Sequence, residues 1–458
     1  MGKLFGYGEV SMHLFQALFT FLDIFLFYLL AQLFAANRAL LLTALFTLSP
    51  AFLVNQNLML DIPLLSLQLA MMYVLLKPGE FNWKRYALAA TFFGLSMLIK
   101  YSSLPMIGLI GLSILVQRRF ILLWTLFIPA AILGLYSAFN WWDFGGIHLN
   151  NPVYEPTTME WVVREFQAFL IILGAISPFV LVFVSGFFSG KKVLKLAFWI
   201  VALALMVGLP IVAWIYGIGV DGELWMRRLF TFMGLIMVGL AMWPFVRFRS
   251  GLLPESFHQR VILFAWAWCM IIFMVPLAPF MATRHVLLIL PPLLLLAAPF
   301  LNKTTKTERN LTLTLTLILG LLLSISDWHY ANFYRQTAPE VSQKIPQNST
   351  TWTVGHWGWQ WYATQEGMQF YETNLSEVKP GEYFVIPKDV AGQYVPDSLR
   401  NQLEWQFDVS RKPTWATFYA THGFARFYNS YFWKAPWTFS KEELDRIEVY
   451  RVKEKVES

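Results

Sequence analysis

The chain has 458 residues, 57% of them hydrophobic and only 14% charged, with a formal net charge of +7. A soluble protein carries about a quarter charged residues, so an ordinary water-soluble globular chain is excluded. The basic residues lie mostly in short loops between apolar runs, where they orient membrane helices, which argues against a nucleic-acid surface. The single cysteine, Cys269, sits inside an apolar segment and has no partner for an intrachain disulfide.

A helix needs about 20 mostly apolar residues to cross the hydrocarbon core. That rule predicts spans at 10–35, 38–56, 60–76, 86–100, 102–116, 120–139, 166–188, 193–216, 229–246, 260–281, 285–301 and 309–326, about twelve in all. The composition changes at Asp327, which divides the chain into a membrane domain over 1–326 and a soluble domain over 327–458. One set of loops holds Arg38; Lys77, Lys84 and Arg85; Arg118 and Arg119; Lys191, Lys192 and Lys195; Arg247, Arg249 and Arg260; and Lys303, Lys306 and Arg309, fifteen cations. The opposite set holds five: Lys100, Arg164, Arg227, Arg228 and Arg284. The positive-inside rule makes the first set cytoplasmic. Both termini, the loops 140–165 and 217–228, and the soluble domain are then expected on the outer side, periplasmic or extracellular.

The soluble domain has strand signals in TTWTVG, EYFVIP and DRIEVYRV, which are rich in β-branched and aromatic residues. VPDSLRNQLEWQF suits a short helix or a helix-to-strand unit. A small α/β domain is expected. Its aromatic stretches HWGWQWY and FARFYNSYFW suit a core or membrane contact, and also a grip on a sugar or lipid edge.

A charge in or at the edge of a membrane helix is costly and is a functional candidate by default. Asp61, in NLMLDIPLLSL, opens the third span. An acid favours the positive end of a helix and Pro63 fits a first turn, so capping and function are both open to it. Lys100, in GLSMLIKYSSLP, closes the fourth span. There a snorkelling lysine at a helix C-terminus and an anion ligand are both consistent. Arg284, in FMATRHVLLILPPLLLL, opens the eleventh span, where a cation opposes the helix dipole and calls for an anionic partner. All three are expected on the outer face, a combination suited to a lipid phosphate, which lysine and arginine bind by charge-assisted hydrogen bonds. No Walker A loop, HExxH or CxxC is present, and the histidines, among them His148, His285, His329 and His356, match no metal motif. His285, beside Arg284, is the best placed of them to act as a ligand.

Four stretches resemble the polytopic glycosyltransferases that use a polyprenyl-phosphate-linked sugar, the C-type fold that includes protein O-mannosyltransferases and the aminoarabinose transferases of lipid A. MGKLFGYGEVSMHLFQALFT is similar to the end of that family's first outer loop running into its second helix. LSPAFLVNQNLMLDIPLLSL resembles its helix pair ending in an acid and a hydrophobic-Pro-Leu run. GLSMLIKYSSLPMI resembles its Gly-Leu…Thr-Lys segment, and TRHVLLILPPLLLL its Arg-Tyr-Leu-Leu-Pro…Pro segment. The resemblance covers most of residues 1–301. It implies a polytopic α-helical membrane protein of C-type glycosyltransferase fold with a small C-terminal α/β domain. It also implies inverting sugar transfer from a polyprenyl-phosphate carrier to an acceptor (protein, lipid or glycan) at the outer membrane face. Asp61 then matches an acid important for catalysis, Arg284 a contact to the lipid phosphate, and Lys100 a helper, with Tyr101 and His285 carried beside them as substrate contacts. No cofactor is required beyond a divalent metal that could replace the cations in stabilising the departing phosphate.

Two departures accompany the resemblance. His13 stands where the family usually has arginine. The family's presumed base is an acid in the first outer loop, and no Asp or Glu precedes Glu9 here. The resemblance therefore implies a chain lacking about one helix and its following loop, or else another base among Glu9, Asp143, Glu155, Asp221 and Glu223. Two other classes are compatible with phosphate-binding cations: a flippase for a lipid-linked saccharide, and a non-catalytic assembly subunit. A transporter would be expected to place charges or broken helices near the bilayer midplane, and the three charges here lie at a face, which favours the enzyme. The charge count predicts that a tag added after Ser458 is removed by a membrane-impermeant protease in intact cells; protection of the tag reverses the predicted sidedness.

Overall fold

The computed structural model describes residues 6, 8–147, 158–188, 190–204, 208, 220–246, 256–278, 280–390, 392–412, 435–437 and 443–453. His148, Glu155, Arg247, Arg249, FARFYNSYFW, part of the predicted span 193–216 and the side chains of Asp221 and Glu223 lie outside the described residues. The chain divides into two compact units. The first holds 1–208, 224–321 and 427–436, and the second holds 209–223, 322–426 and 437–458.

The first unit is helical. Its main helices are α1 (Glu9–Ala35), α2 (Ala39–Thr47), α3 (Asp61–Leu76), α4 (Trp83–Ile99), α5 (Met106–Val116), α6 (Phe127–Phe144), α7 (Met159–Ile176), α8 (Lys192–Leu203), α9 (Val220–Val246, from residue 224 onward), α10 (Phe257–Leu277), α11 (Thr283–Leu287), α12 (Leu290–Ala297) and the first part of α13 (Lys306–Lys344), whose residues from 322 onward belong to the second unit. Among the described residues, five helical stretches are long and apolar enough to cross a membrane: Glu9–Thr47, Phe120–Phe144, Leu224–Trp243, Phe257–Leu277 and Lys306–Lys344. A sixth is added if Met159–Ile176 and Val180–Phe188, bent by 83° at their junction, make one broken span. Asp61–Leu76, Tyr101–Val116 and Leu290–Lys303 are shorter apolar helices. The protein is thus an integral membrane protein built of helices.

The stretch Glu9–Thr47 is a hairpin rather than one rod. Phe27 and Phe46 have ring centroids 4.5 Å apart, whereas a continuous helix would separate them by about 28 Å at 1.5 Å per residue. The reversal falls on the short 3-10 turn Ala36–Arg38, where Arg38 provides the polar punctuation between two apolar runs. A single apolar core then runs through the unit, joining Leu26, Phe27 and Leu30 of α1, Leu64, Leu65 and Leu69 of α3, Trp266 and Met270 of α10 and the leucines of α12. Lipid tails are as apolar as leucine, so close helix contact depends on small residues. A Cβ on Gly174 of α7 would lie 1.8 Å from the carbonyl oxygen of Phe230, and one on Gly234 of α9 would lie 2.1 Å from that of Leu170. These reciprocal glycines let the α7 and α9 backbones touch.

The second unit carries a five-stranded sheet in the order β2-β1-β3-β5-β4, where β1 is Thr351–Thr353, β2 Gln369–Phe370, β3 Tyr383–Pro387, β4 Leu403–Ser410 and β5 Arg446–Val452. β1 pairs in parallel with β2 and β3, while β5 runs antiparallel to β3 and β4, with Val385 opposite Val449. Helix α14 (Trp357–Gln365) makes the crossover from β1 to β2, as parallel strands require. Both faces are covered. Val385, Ile447 and Val449 pack with Phe333, Val341 and Trp359, while Phe384 packs with Val354, Tyr371 and Val395. That is why two consecutive residues of β3, which point to opposite faces, are both fully buried.

At the start of β5 the buried carboxyl of Asp445 accepts from the Tyr334 hydroxyl at 2.7 Å and from the backbone N–H groups of Asp389 at 3.1 Å and Arg446 at 2.6 Å. Burial pushes its pKa up to about 7, against the pull of the Tyr334 hydrogen bond and with the help of the nearby Asp389 charge. A raised acid pKa means the folded form holds its proton longer than the unfolded chain does, so stability falls as pH rises from about 4 to about 7. Hydrogen exchange of the β5 amides in the full protein is expected to show stronger protection at pH 5 than at pH 8, and Asp445→Asn to remove that difference. In the first unit, Gly174→Ala is expected to lower the thermal midpoint in detergent by at least a few degrees; an unchanged midpoint contradicts the backbone contact.

Candidate functional site

The geometry begins with the short stretch between α2 and α3. Ser49 caps the turn Pro50–Leu53, its hydroxyl accepting from the Phe52 N–H at 3.3 Å. The chain then runs through Asn55, Gln56 and Asn57 before α3 starts at Asp61. Asp61 occupies the first helical position and Pro63 the third, where a missing N–H leaves no helical hydrogen bond unmade. The Asp61 side chain is 4% exposed.

Lys100 ends α4. Its backbone is extended, at φ −161° and ψ 134°, and its N–H still closes the last turn on Ser96. This break swings the side chain away from the helix, and its Nζ lies 2.8 Å from Asp61 Oδ1. On the other side, Arg284 of α11 places Nε 3.7 Å from Asp61 Oδ2 and its guanidinium over the Phe280 ring at 5.3 Å. Asn55 ties the two regions together, donating from Nδ2 to the Ala51 carbonyl at 2.6 Å and to Thr283 Oγ1 at 3.4 Å, one residue before Arg284. The structure therefore gathers Asp61, Lys100 and Arg284 from three separate segments into one ion cluster. Together the three side chains carry one net positive charge.

The other two predicted residues sit beside this cluster in the chain. Tyr101 is half-buried and opens the 3-10 turn Tyr101–Ser103 directly after Lys100. His285 is buried, with its ring 5.5 Å from that of Phe280 and its Nδ1 without a hydrogen-bond partner among the described residues. Of the alternative bases, Asp143 is exposed near the end of α6 and Glu9 is the first residue of α1. Among the described residues, no group of three or more His, Cys, Asp or Glu is placed to hold a metal ion. Asn55 and Thr283 were not singled out from sequence; the polar run Asn55–Gln56–Asn57 inside an apolar stretch is the signal that could have found the first of them.

Residues 1–142 match the family model described as dolichyl-phosphate-mannose-protein mannosyltransferase. The match covers the N-terminal third of the chain. The family match takes in Asp61 and Lys100, while Arg284 lies beyond it and joins them through space. No curated protein matches the chain. Among solved structures, the chain is similar to ArnT from Cupriavidus metallidurans in the apo state, at 15% identity and a TM-score of 0.42, covering 98% of this chain and 85% of that one. It is similar as well to the same protein bound to undecaprenyl phosphate, at 14% identity and a TM-score of 0.40 with the same coverage.

Proposed function

We propose that this protein is a membrane glycosyltransferase that moves a sugar from a polyprenyl-phosphate carrier to an acceptor. The observation that carries the reading is the ion cluster, in which one buried carboxylate holds two cations side by side. In the reaction the bond from the anomeric carbon to the phosphate oxygen breaks, and its electron pair leaves with the phosphate. A new bond forms from that carbon to the acceptor oxygen or nitrogen, whose proton passes to a base. Charge therefore grows on the departing phosphate. Lys100 Nζ and the Arg284 guanidinium are the groups to receive it by charge-assisted hydrogen bonds. Because Asp61 already holds both cations, they need little reorganisation as the charge develops.

Asp61 is thus proposed as the residue that orders the phosphate-binding cations, with Tyr101 and His285 as neighbours shaping the donor site. The finer topology belongs to the same proposal: about twelve crossings, with the cluster and the soluble domain over 327–458 on the outer side. The unequal loop charges support that sidedness. The proposed base is a carboxylate other than Asp61, whose oxygens face the two cations.

Sugar transfer from a radiolabelled polyprenyl-phosphate sugar into an acceptor-rich membrane extract tests the assignment. Asp61→Asn and Arg284→Ala are each expected to lower the rate at least about 100-fold, the usual loss when a preorganised charge-stabilising group is removed, with unchanged amounts of inserted protein. Near-normal transfer by both variants removes this site.

A further inference from the structure

Asp23 lies in the middle of α1, fully buried, far from either end of an apolar run. An acid at such a place is expensive, and leucine would pack there without that cost. Its carboxyl has one near partner: Asp23 Oδ1 is 2.6 Å from the hydroxyl of Ser66 on α3. The same hydroxyl lies 3.1 Å from the Phe19 carbonyl of α1 and 3.3 Å from the Ile62 carbonyl of its own helix. Asp23 Oδ2 has no hydrogen-bond partner among the described residues.

Two further polar residues share this face of α1, spaced as helix periodicity requires. Gln16 Nε2 donates to the Met59 carbonyl at 3.3 Å, and Thr20 Oγ1 donates to Gln56 Oε1. Gln16, Thr20 and Asp23 therefore form a polar ladder, and every rung reaches the stretch 56–66. Asp61 lies inside that stretch, between the anchor at Met59 and the anchor at Ser66. Apolar packing alone is weakly directional and lets one helix slide or turn on another. Hydrogen bonds set both rotation and depth.

We propose that Asp23 is a positioning residue: through Ser66 it fixes the rotation and depth of α3, and so holds the Asp61 carboxylate between Lys100 and Arg284. This rests on the glycosyltransferase reading of the cluster. Asp23 acts here as a hydrogen-bonding group rather than as a charge, so an asparagine can replace it and a leucine cannot.

The test uses the full chain in membranes, with steady-state transfer from a polyprenyl-phosphate sugar. Asp23→Leu and Ser66→Ala are each expected to lower kcat about tenfold, as misplacement of a reacting-site group does, and to change KM for the donor less than about twofold. Asp23→Asn is expected to restore most of the rate. The double variant Asp23→Leu/Ser66→Ala is expected to be no slower than either single one, because the two side chains act through one bond. The inference is overturned if Asp23→Leu and Ser66→Ala keep the wild-type kcat while Asp61→Asn is inactive. It is overturned equally if their loss only tracks the amount of folded protein, or if Asp23→Asn is as slow as Asp23→Leu. Ser66→Ala decides the matter if Asp23→Leu does not fold. An active Asp61→Asn is a different result, and it removes the site reading itself.

Discussion

The structure of the membrane unit turns on one buried carboxylate. Asp61 is almost fully covered and meets Lys100 and Arg284 from two other segments. Such a pair is weak ground for stability, because apolar residues of similar size often serve a fold as well or better. Its presence therefore needs a reason beyond holding helices together. The local backbone supports that view. α4 stops at Lys100 in an extended conformation, α11 is only five residues long, and the bend after α7 is 83°. Straight, uninterrupted helices would bury more apolar surface. The breaks at Lys100 and at α11 carry the two cations to Asp61.

The hydrogen bonds between segments show the same bias. Asn55 reaches Thr283 next to Arg284, and Ser66 reaches Asp23. Each links a segment of the cluster to a helix distant in sequence. A buried polar group that loses its partner costs more than it gained by pairing, so these bonds resist relaxation of the site. The cluster is held at two levels: ions touching one another, and amides and hydroxyls holding the segments that carry the ions.

The ions were legible in the sequence because charge is costly in hydrocarbon. Asp61, Lys100 and Arg284 each interrupt an apolar run near its end, and the loop charges predict one face for all three. Asp23 carries the same signal, but in the middle of a span, where no loop or span end points to it. Asn55 and Thr283 have no charge to betray them, and their pairing joins segments no local pattern connects. In the fold, the expected spans 10–35 and 38–56 part at Arg38, the last residue of the short turn between α1 and α2. TTWTVG, EYFVIP and DRIEVYRV contain β1, β3 and β5, and VPDSLRNQLEWQF holds the helix Asp397–Arg400 and most of β4. The two-residue β2 is too short to carry a pattern. The sheet order, with β1 between β2 and β3, depends on pairings between distant residues and left no mark in local composition.

Charge arithmetic connects the cluster to the chemistry. A sugar joined to a lipid through one phosphate is a diester with a single negative charge. In the proposed reaction that charge would neutralise the net positive charge of Asp61, Lys100 and Arg284, so the loaded site would be balanced in a medium that penalises net charge. As the sugar leaves, the phosphate becomes a monoester and moves toward two negative charges, as its second pKa near 6 dictates. The cations then attract the leaving group more strongly than they attracted the intact donor. Stronger binding of the transition state than of the ground state is the condition for catalysis. In the proposed reaction the acid between the cations holds them in place for that growing charge, and the proposed role of the polar ladder on α1 is to keep the acid there.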